Sequence, residues 1–142
     1  MVTLQSRYAR PSTGGGLARR TALGVGAAVL AVLLAQGLVT LLGLNVGETG
    51  AMTPFATAPL VASSVLAGAG AALAYAVLVR FTDRPVRNFV AAAGVVFALM
   101  LVPVVAFAPS LGVTAVGQVV LVVYHVLVAV LIVGALIGVG SR

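Results

Sequence analysis

Long apolar stretches alternate with short polar ones along the whole chain. The longest uninterrupted apolar run, Val113 to Val139, holds 27 residues without Asp, Glu, Lys or Arg. As a helix it would reach roughly 40 Å, against roughly 30 Å of bilayer hydrocarbon. Three more runs precede it, from Thr21 to Leu44, from Pro54 to Val79 and from Pro85 to Ala106. The pattern predicts an all-α fold, a four-transmembrane-helix bundle with helices at about 19–44, 54–80, 85–107 and 112–140. Thr53-Pro54 reads as the start of the second helix, with threonine as N-cap and proline in the first turn. Pro59, one turn further on, predicts a bent or irregular outer end. Asp83 ahead of Pro85 reads as the N-cap of the third helix, and Ser110 as that of the fourth.

Residues 1–16 form a polar, basic leader with Arg7, Arg10 and a Gly14-Gly15-Gly16 run, and are expected to be flexible. Residues 17–142 are read as a single four-helix transmembrane domain. A secretory signal peptide is the competing reading of the first run, with Ala35-Gln36-Gly37 as its cleavage site. The run continues to Leu44, well past a usual signal core.

Composition sharpens the class. Of 142 residues, 62% are hydrophobic and 7% charged, where a soluble domain carries about 25% charged residues. The expected partner is therefore the lipid bilayer, and the expected location the cell membrane. The absence of cysteine excludes disulfides, thiolate catalysis and cysteine metal sites. A net charge of +6 raises the question of nucleic acid. The arginines sit beside hydrophobic runs, where they set topology, and no aromatic-rich polar surface offers bases a stacking platform, so nucleic acid is rejected. All eight basic residues are arginine. Four precede the apolar run that starts at Thr21, three (Arg80, Arg84 and Arg87) flank the junction of the second and third helices, and one follows the fourth run, which places all of them on one side. The positive-inside rule makes that side cytoplasmic, with both termini inside.

No acid or base lies in the apolar interior of any span, and His125, near the middle of the fourth helix, is the only intramembrane titratable candidate besides tyrosine. Gln118 is two turns nearer the outside on the same face. Gln36 and Thr40 share one face of the first helix, and Ser63 and Ser64 lie in the outer half of the second. The functional hypothesis is an outward-facing polar pocket with His125 at its floor, Gln36 and Gln118 on its walls, Thr40, Ser63 and Ser64 nearby, and Glu48 above it. The plainer reading, preferred here, makes these residues interhelical hydrogen-bonding groups. Tyr124 points about 100° away from His125 and is left outside the site. Small residues mark packing faces: Gly24 and Ala28 in the first helix, Gly68, Ala72 and Ala76 in the second, and Gly134 and Gly138 as a GxxxG in the fourth, which serve within one subunit or, for the GxxxG, between copies.

Catalytic signatures are missing. The chain has no HExxH, no phosphate-binding glycine loop and no nucleophile elbow, and one histidine without cysteines or paired acids makes no zinc site. No enzyme activity, metal or cofactor is expected.

Thr53-Pro54-Phe55 with Pro59, the Arg80-Phe81-Thr82 exit, Pro103 late in the third helix and His125 in the fourth carry a resemblance. On these residues the chain resembles an uncharacterised family of small four-helix integral membrane proteins, a domain of unknown function met in high-GC bacteria and haloarchaea. The resemblance implies a four-span fold over Leu17 to Gly140 and supplies no activity. The sequence thus supports a small polytopic membrane protein, a non-enzymatic component acting by association with itself or with a larger membrane complex. The alternative is a small transporter, channel or lipid-binding protein with an outward-facing polar pocket around His125.

Overall fold

The structure is a computed structural model and describes residues 14–139. It contains four long helices: α1 (Gly14–Leu41), α2 (Thr57–Phe81), α3 (Pro85–Ala106) and α4 (Ala115–Ile137), with a 3-10 turn at Ala108–Leu111. Each long helix is long and apolar enough to cross a membrane. The shortest, α3, has 22 residues, or roughly 33 Å at 1.5 Å per residue. Arg7, Arg10 and Arg142, and most of the expected leader, lie outside the described residues.

The helices run up and down in a ring. α2 and α4 face each other across its short diagonal, and each touches all three other helices, whereas α1 and α3 make no contact among the described residues. Two apolar clusters fill the interior. One, toward the arginine-poor end, gathers Val32, Val39, Phe55, Leu60, Val120 and Tyr124. The other, toward the arginine-rich end, gathers Ala28, Tyr75, Val86, Phe89, Ile132 and Leu136. Leu30, Leu34, Leu38, Leu99 and Met100 point outward and are exposed. A water-facing bundle could not leave such a belt uncovered, while in hydrocarbon it costs nothing.

Several helix ends differ from the sequence-based expectation, each for a local reason. α1 already begins at Gly14, so the three-glycine run is helical rather than part of a loose leader. α2 begins at Thr57 rather than Pro54, and its N-cap is Ala56 without a side-chain capping bond. Thr53 Oγ1 instead donates to the carbonyl of Gly50 at 2.8 Å, closing a turn. Pro59 then falls third in the helix, where a missing N–H has no intrahelical acceptor to lose. At α3 the N-cap is Arg84, not Asp83, and Pro85 occupies the first turn. At α4 the N-cap is Thr114, whose hydroxyl accepts from the N–H of Gly117 at 3.0 Å. Ser110 sits inside the 3-10 turn, donating to the Phe107 carbonyl at 2.6 Å. A helix could not start at Gly112, because that residue adopts a left-handed φ of 79°.

The two ends of the bundle are tied differently. At the arginine-poor end, the α1–α2 and α3–α4 connections form one small antiparallel bridge, Gly47 with Val113. Thr114 N–H donates to the Val46 carbonyl at 3.1 Å and Glu48 N–H to the Gly112 carbonyl at 3.3 Å. The Thr114 hydroxyl also donates to the Asn45 carbonyl at 2.6 Å. A Cβ at Gly47 would run into the Gly112 carbonyl, so this close crossing admits only glycine. At the other end, Arg20 Nη1 donates to the Leu136 carbonyl at 3.2 Å. That carbonyl is among the last of α4, where orphan acceptors favour a cation. The contact joins the start of α1 to the finish of α4. Arg19 and Arg20 thus share an end with Arg80, Arg84 and Arg87 at the α2–α3 junction, whereas Glu48 lies at the opposite end.

Candidate functional site

The intramembrane polar residues form three separate arrangements. In the first, the phenol of Tyr124 on α4 donates to Oε1 of Gln36 on α1. Tyr124 is only 4% exposed, and its ring meets Phe55 edge-on at 6.5 Å between centroids. A buried phenol in an apolar helix must find an acceptor, and Gln36 provides one. Helical angle alone leaves this residue outside the site. The signal that could have found it was the need of its hydroxyl for a partner.

In the second, Gln118 Nε2 donates to the carbonyls of Val104 at 2.9 Å and Val105 at 3.4 Å. Both belong to the last turn of α3, where carbonyls lack intrahelical donors. The residue four beyond Val105 is Pro109, which has no N–H to give. Gln118 therefore finishes α3 from a neighbouring helix.

In the third, His125 Nδ1 lies 2.7 Å from the carbonyl of Leu121 one turn back on its own helix. A carbonyl oxygen only accepts, so Nδ1 carries a proton there. In the neutral ring Nε2 is then left as an acceptor. His125 is half-buried and adjoins the middle residue of α4, Val126. Among the described residues, no hydrogen bond joins His125 to Gln36 or to Gln118.

The hydroxyl-bearing candidates bond within their own helices. Thr40 Oγ1 donates to the Gln36 carbonyl at 3.0 Å. Ser63 and Ser64 both donate to the Leu60 carbonyl, at 3.2 and 2.8 Å. Ser64 is buried and Ser63 exposed. Such back-bonding satisfies a hydroxyl without a second helix. The exposed Glu48 lies with its aliphatic stem over Gly112 in the end bridge.

The small-residue faces also divide. Gly24 lies against α4: a Cβ there would come within 2.8 Å of Ala135 Cβ and 3.3 Å of Ile132 Cα. Ala28, one turn on, is fully buried. Among the described residues of one chain, Gly134 and Gly138 make no such seam. A Cβ at Gly134 would meet only Val139, at 4.0 Å. Gly138 lies beyond the helix in the left-handed region, with φ of 86°. Its N–H donates to Ala135 at 3.1 Å while Val139 N–H donates to Gly134 at 2.9 Å. This is the paired closure of a Schellman motif, so the second glycine of the GxxxG marks the stop of α4.

A family match covers residues 12–142, nearly the whole chain, and takes in all four helices. The chain belongs to DUF6069, a family of unknown function. No curated protein matches it, and no solved structure does. Membership of DUF6069 thus agrees with the resemblance carried by the Thr53-to-Pro59 stretch, Pro103 and His125. Family membership supplies no activity and leaves chemistry to be argued from the residues. Among the described residues no group of three His, Cys, Asp or Glu could hold a metal ion.

Proposed function

We propose that this chain is a non-enzymatic integral membrane component that acts by association, with a second copy or with a larger membrane complex. Its arginine-rich end and both termini face the cytoplasm. The carrying observation is the geometry of His125. At mid-helix depth, where hydrocarbon offers no donor, its Nε2 lone pair has no partner within the described chain. A hydroxyl, amide or indole N–H from another helix would satisfy it, and intramembrane contacts of this kind contribute roughly 0.6–2 kcal/mol. The pocket alternative would need Gln36 and Gln118 to face a ligand. Gln36 Oε1 and Gln118 Nε2 are engaged with Tyr124 and with the end of α3, which favours association.

Cross-linking in native membranes followed by mild solubilisation tests this reading. The expected result is a stoichiometric partner, or a second copy, with wild type and its loss with His125→Leu at unchanged helical content. The same monomer for both variants would refute it.

A further inference from the structure

α1 and α2 leave a groove between them of about 620 Å³. Ala18, Ala22 and Val25 line one wall, and Ala69, Ala72 and Ala76 the other. Its deep end is fixed by close helix contact, since a Cβ at Gly68 would run into Val25 Cγ2. Below that contact the alanines are too small to fill the space between the helices, so the groove is apolar and opens sideways to hydrocarbon. Its lining runs from Leu17 to Val25 and from Val65 to Ala76. At 1.5 Å per residue these segments measure roughly 12 and 16 Å. That is about half of the roughly 30 Å hydrocarbon core, the depth of one leaflet.

The mouth of the groove lies at the arginine-rich end. Arg80 follows Ala76 by one turn and therefore continues the same helix face. Arg19 follows Ala18 about 100° around α1, so it borders the edge of the groove rather than lining it, within reach of a long side chain. Both arginines are exposed. The Arg80 guanidinium stands 5.8 Å from the ring centre of Phe81, an aromatic at the level where membrane interfaces gather such rings. An apolar trough one leaflet deep, with two guanidinium groups at its mouth, matches an acyl chain carrying a phosphate.

We infer that this groove binds an anionic glycerophospholipid of the arginine-side leaflet, with one acyl chain along the alanines and the phosphate against Arg19 and Arg80. The inference does not depend on the role given to His125. Guanidinium recognises phosphate oxygens through paired N–H donors, so lysine would replace these arginines poorly.

Native mass spectrometry of the detergent-purified full chain, titrated with dioleoylphosphatidylglycerol or dioleoylphosphatidylcholine, tests it. Wild type is expected to bind one phosphatidylglycerol at least tenfold more tightly than phosphatidylcholine. Arg80→Gln and Arg19→Gln should each weaken the anionic lipid about fivefold, the equivalent of ~1 kcal/mol per arginine. Arg87→Gln, at the start of α3, should leave binding unchanged. Ala22→Leu with Ala69→Leu, both at exposed positions, should fill the trough and weaken both lipids. Glycerol 3-phosphate, which has no acyl chain, should not compete. Equal binding of the two lipids, an Arg87→Gln effect as large as that of Arg80→Gln, full binding by the filled variant, or competition by glycerol 3-phosphate would each overturn the assignment.

Discussion

Replacing Gly24 by alanine sets two opposing effects against each other. In an isolated helix the change would stabilise by about 1 kcal/mol, because glycine is the poorer helix former. Here the new Cβ arrives 2.8 Å from Ala135 Cβ, where ordinary contact begins at 3.4 Å. The shortfall is about 0.6 Å, and neither carbon can rotate away, since each is fixed to its backbone. Ile132 Cα at 3.3 Å and the Leu131 carbonyl at 3.4 Å close the other directions. α1 and α4 must separate, and overpacking of this kind costs about 1–3 kcal/mol. The net expectation is a loss of roughly 1 kcal/mol. Gly26 is the internal control. It lies two residues away with nothing within 4 Å of its would-be Cβ, so Gly26→Ala should gain up to about 1 kcal/mol. The two variants should therefore differ by about 2 kcal/mol, or roughly 4–8 °C in thermal unfolding midpoint in detergent. Ala135→Gly removes the clashing carbon, so the Gly24→Ala/Ala135→Gly pair should be less destabilised than the sum of its singles. Equal midpoints for Gly24→Ala and Gly26→Ala, or strict additivity in the cycle, would refute the α1–α4 seam.

Other perturbations test other joints. Tyr124→Phe should lower stability by about 0.6–1.7 kcal/mol in detergent unfolding, and adding Gln36→Leu should cost little more, because one hydrogen bond is lost either way. Thr114→Ala removes both the α4 cap and the tie to Asn45, and roughly 1–2 kcal/mol should disappear from the same assay. Gly138→Ala forces a side chain into the left-handed region at about 1–2 kcal/mol. It should leave the cross-linking pattern in membranes unchanged, whereas a GxxxG contact between copies would lose it.

The frame of this fold was legible because lipid imposes a plain rule. A run such as Val113 to Val139 has few ways to satisfy its backbone without water, and a helix is the simplest. Gly24 and Ala28, one turn apart, have the spacing of a packing face, and in the structure Gly24 lies against Ala135 while Ala28 is fully buried. The ends read less well. Thr53, Asp83 and Ser110 all have N-cap chemistry beside a proline or a helix start, yet the caps fall elsewhere, with the Thr53 and Ser110 hydroxyls spent on closing local turns. Gly112 in the left-handed region moved the start of α4 to Thr114, and the crossing at Gly47 was set by a strand-like pairing between distant loops. Helical angle alone hides the Tyr124–Gln36 bond, which the need of a buried hydroxyl for an acceptor explains. Helical angle puts Gln118 on the face of His125, but its amide serves the end of α3, where Pro109 leaves the Val105 carbonyl without a donor. The small-residue face of α2 at Gly68, Ala72 and Ala76 is legible, but not that part of it borders a groove, because an alanine-lined trough and an alanine-lined contact read alike.

The account depends most on four membrane crossings with the arginines gathered at one end. The chain has no native cysteine, so single cysteines at positions 48 and 84 report location cleanly. Intact cells expressing Glu48→Cys or Arg84→Cys, treated with a membrane-impermeant maleimide, give the measurement. Labelling of position 48 from outside, with position 84 reactive only after permeabilisation, is the predicted result. Equal labelling of both positions in sealed cells would contradict it.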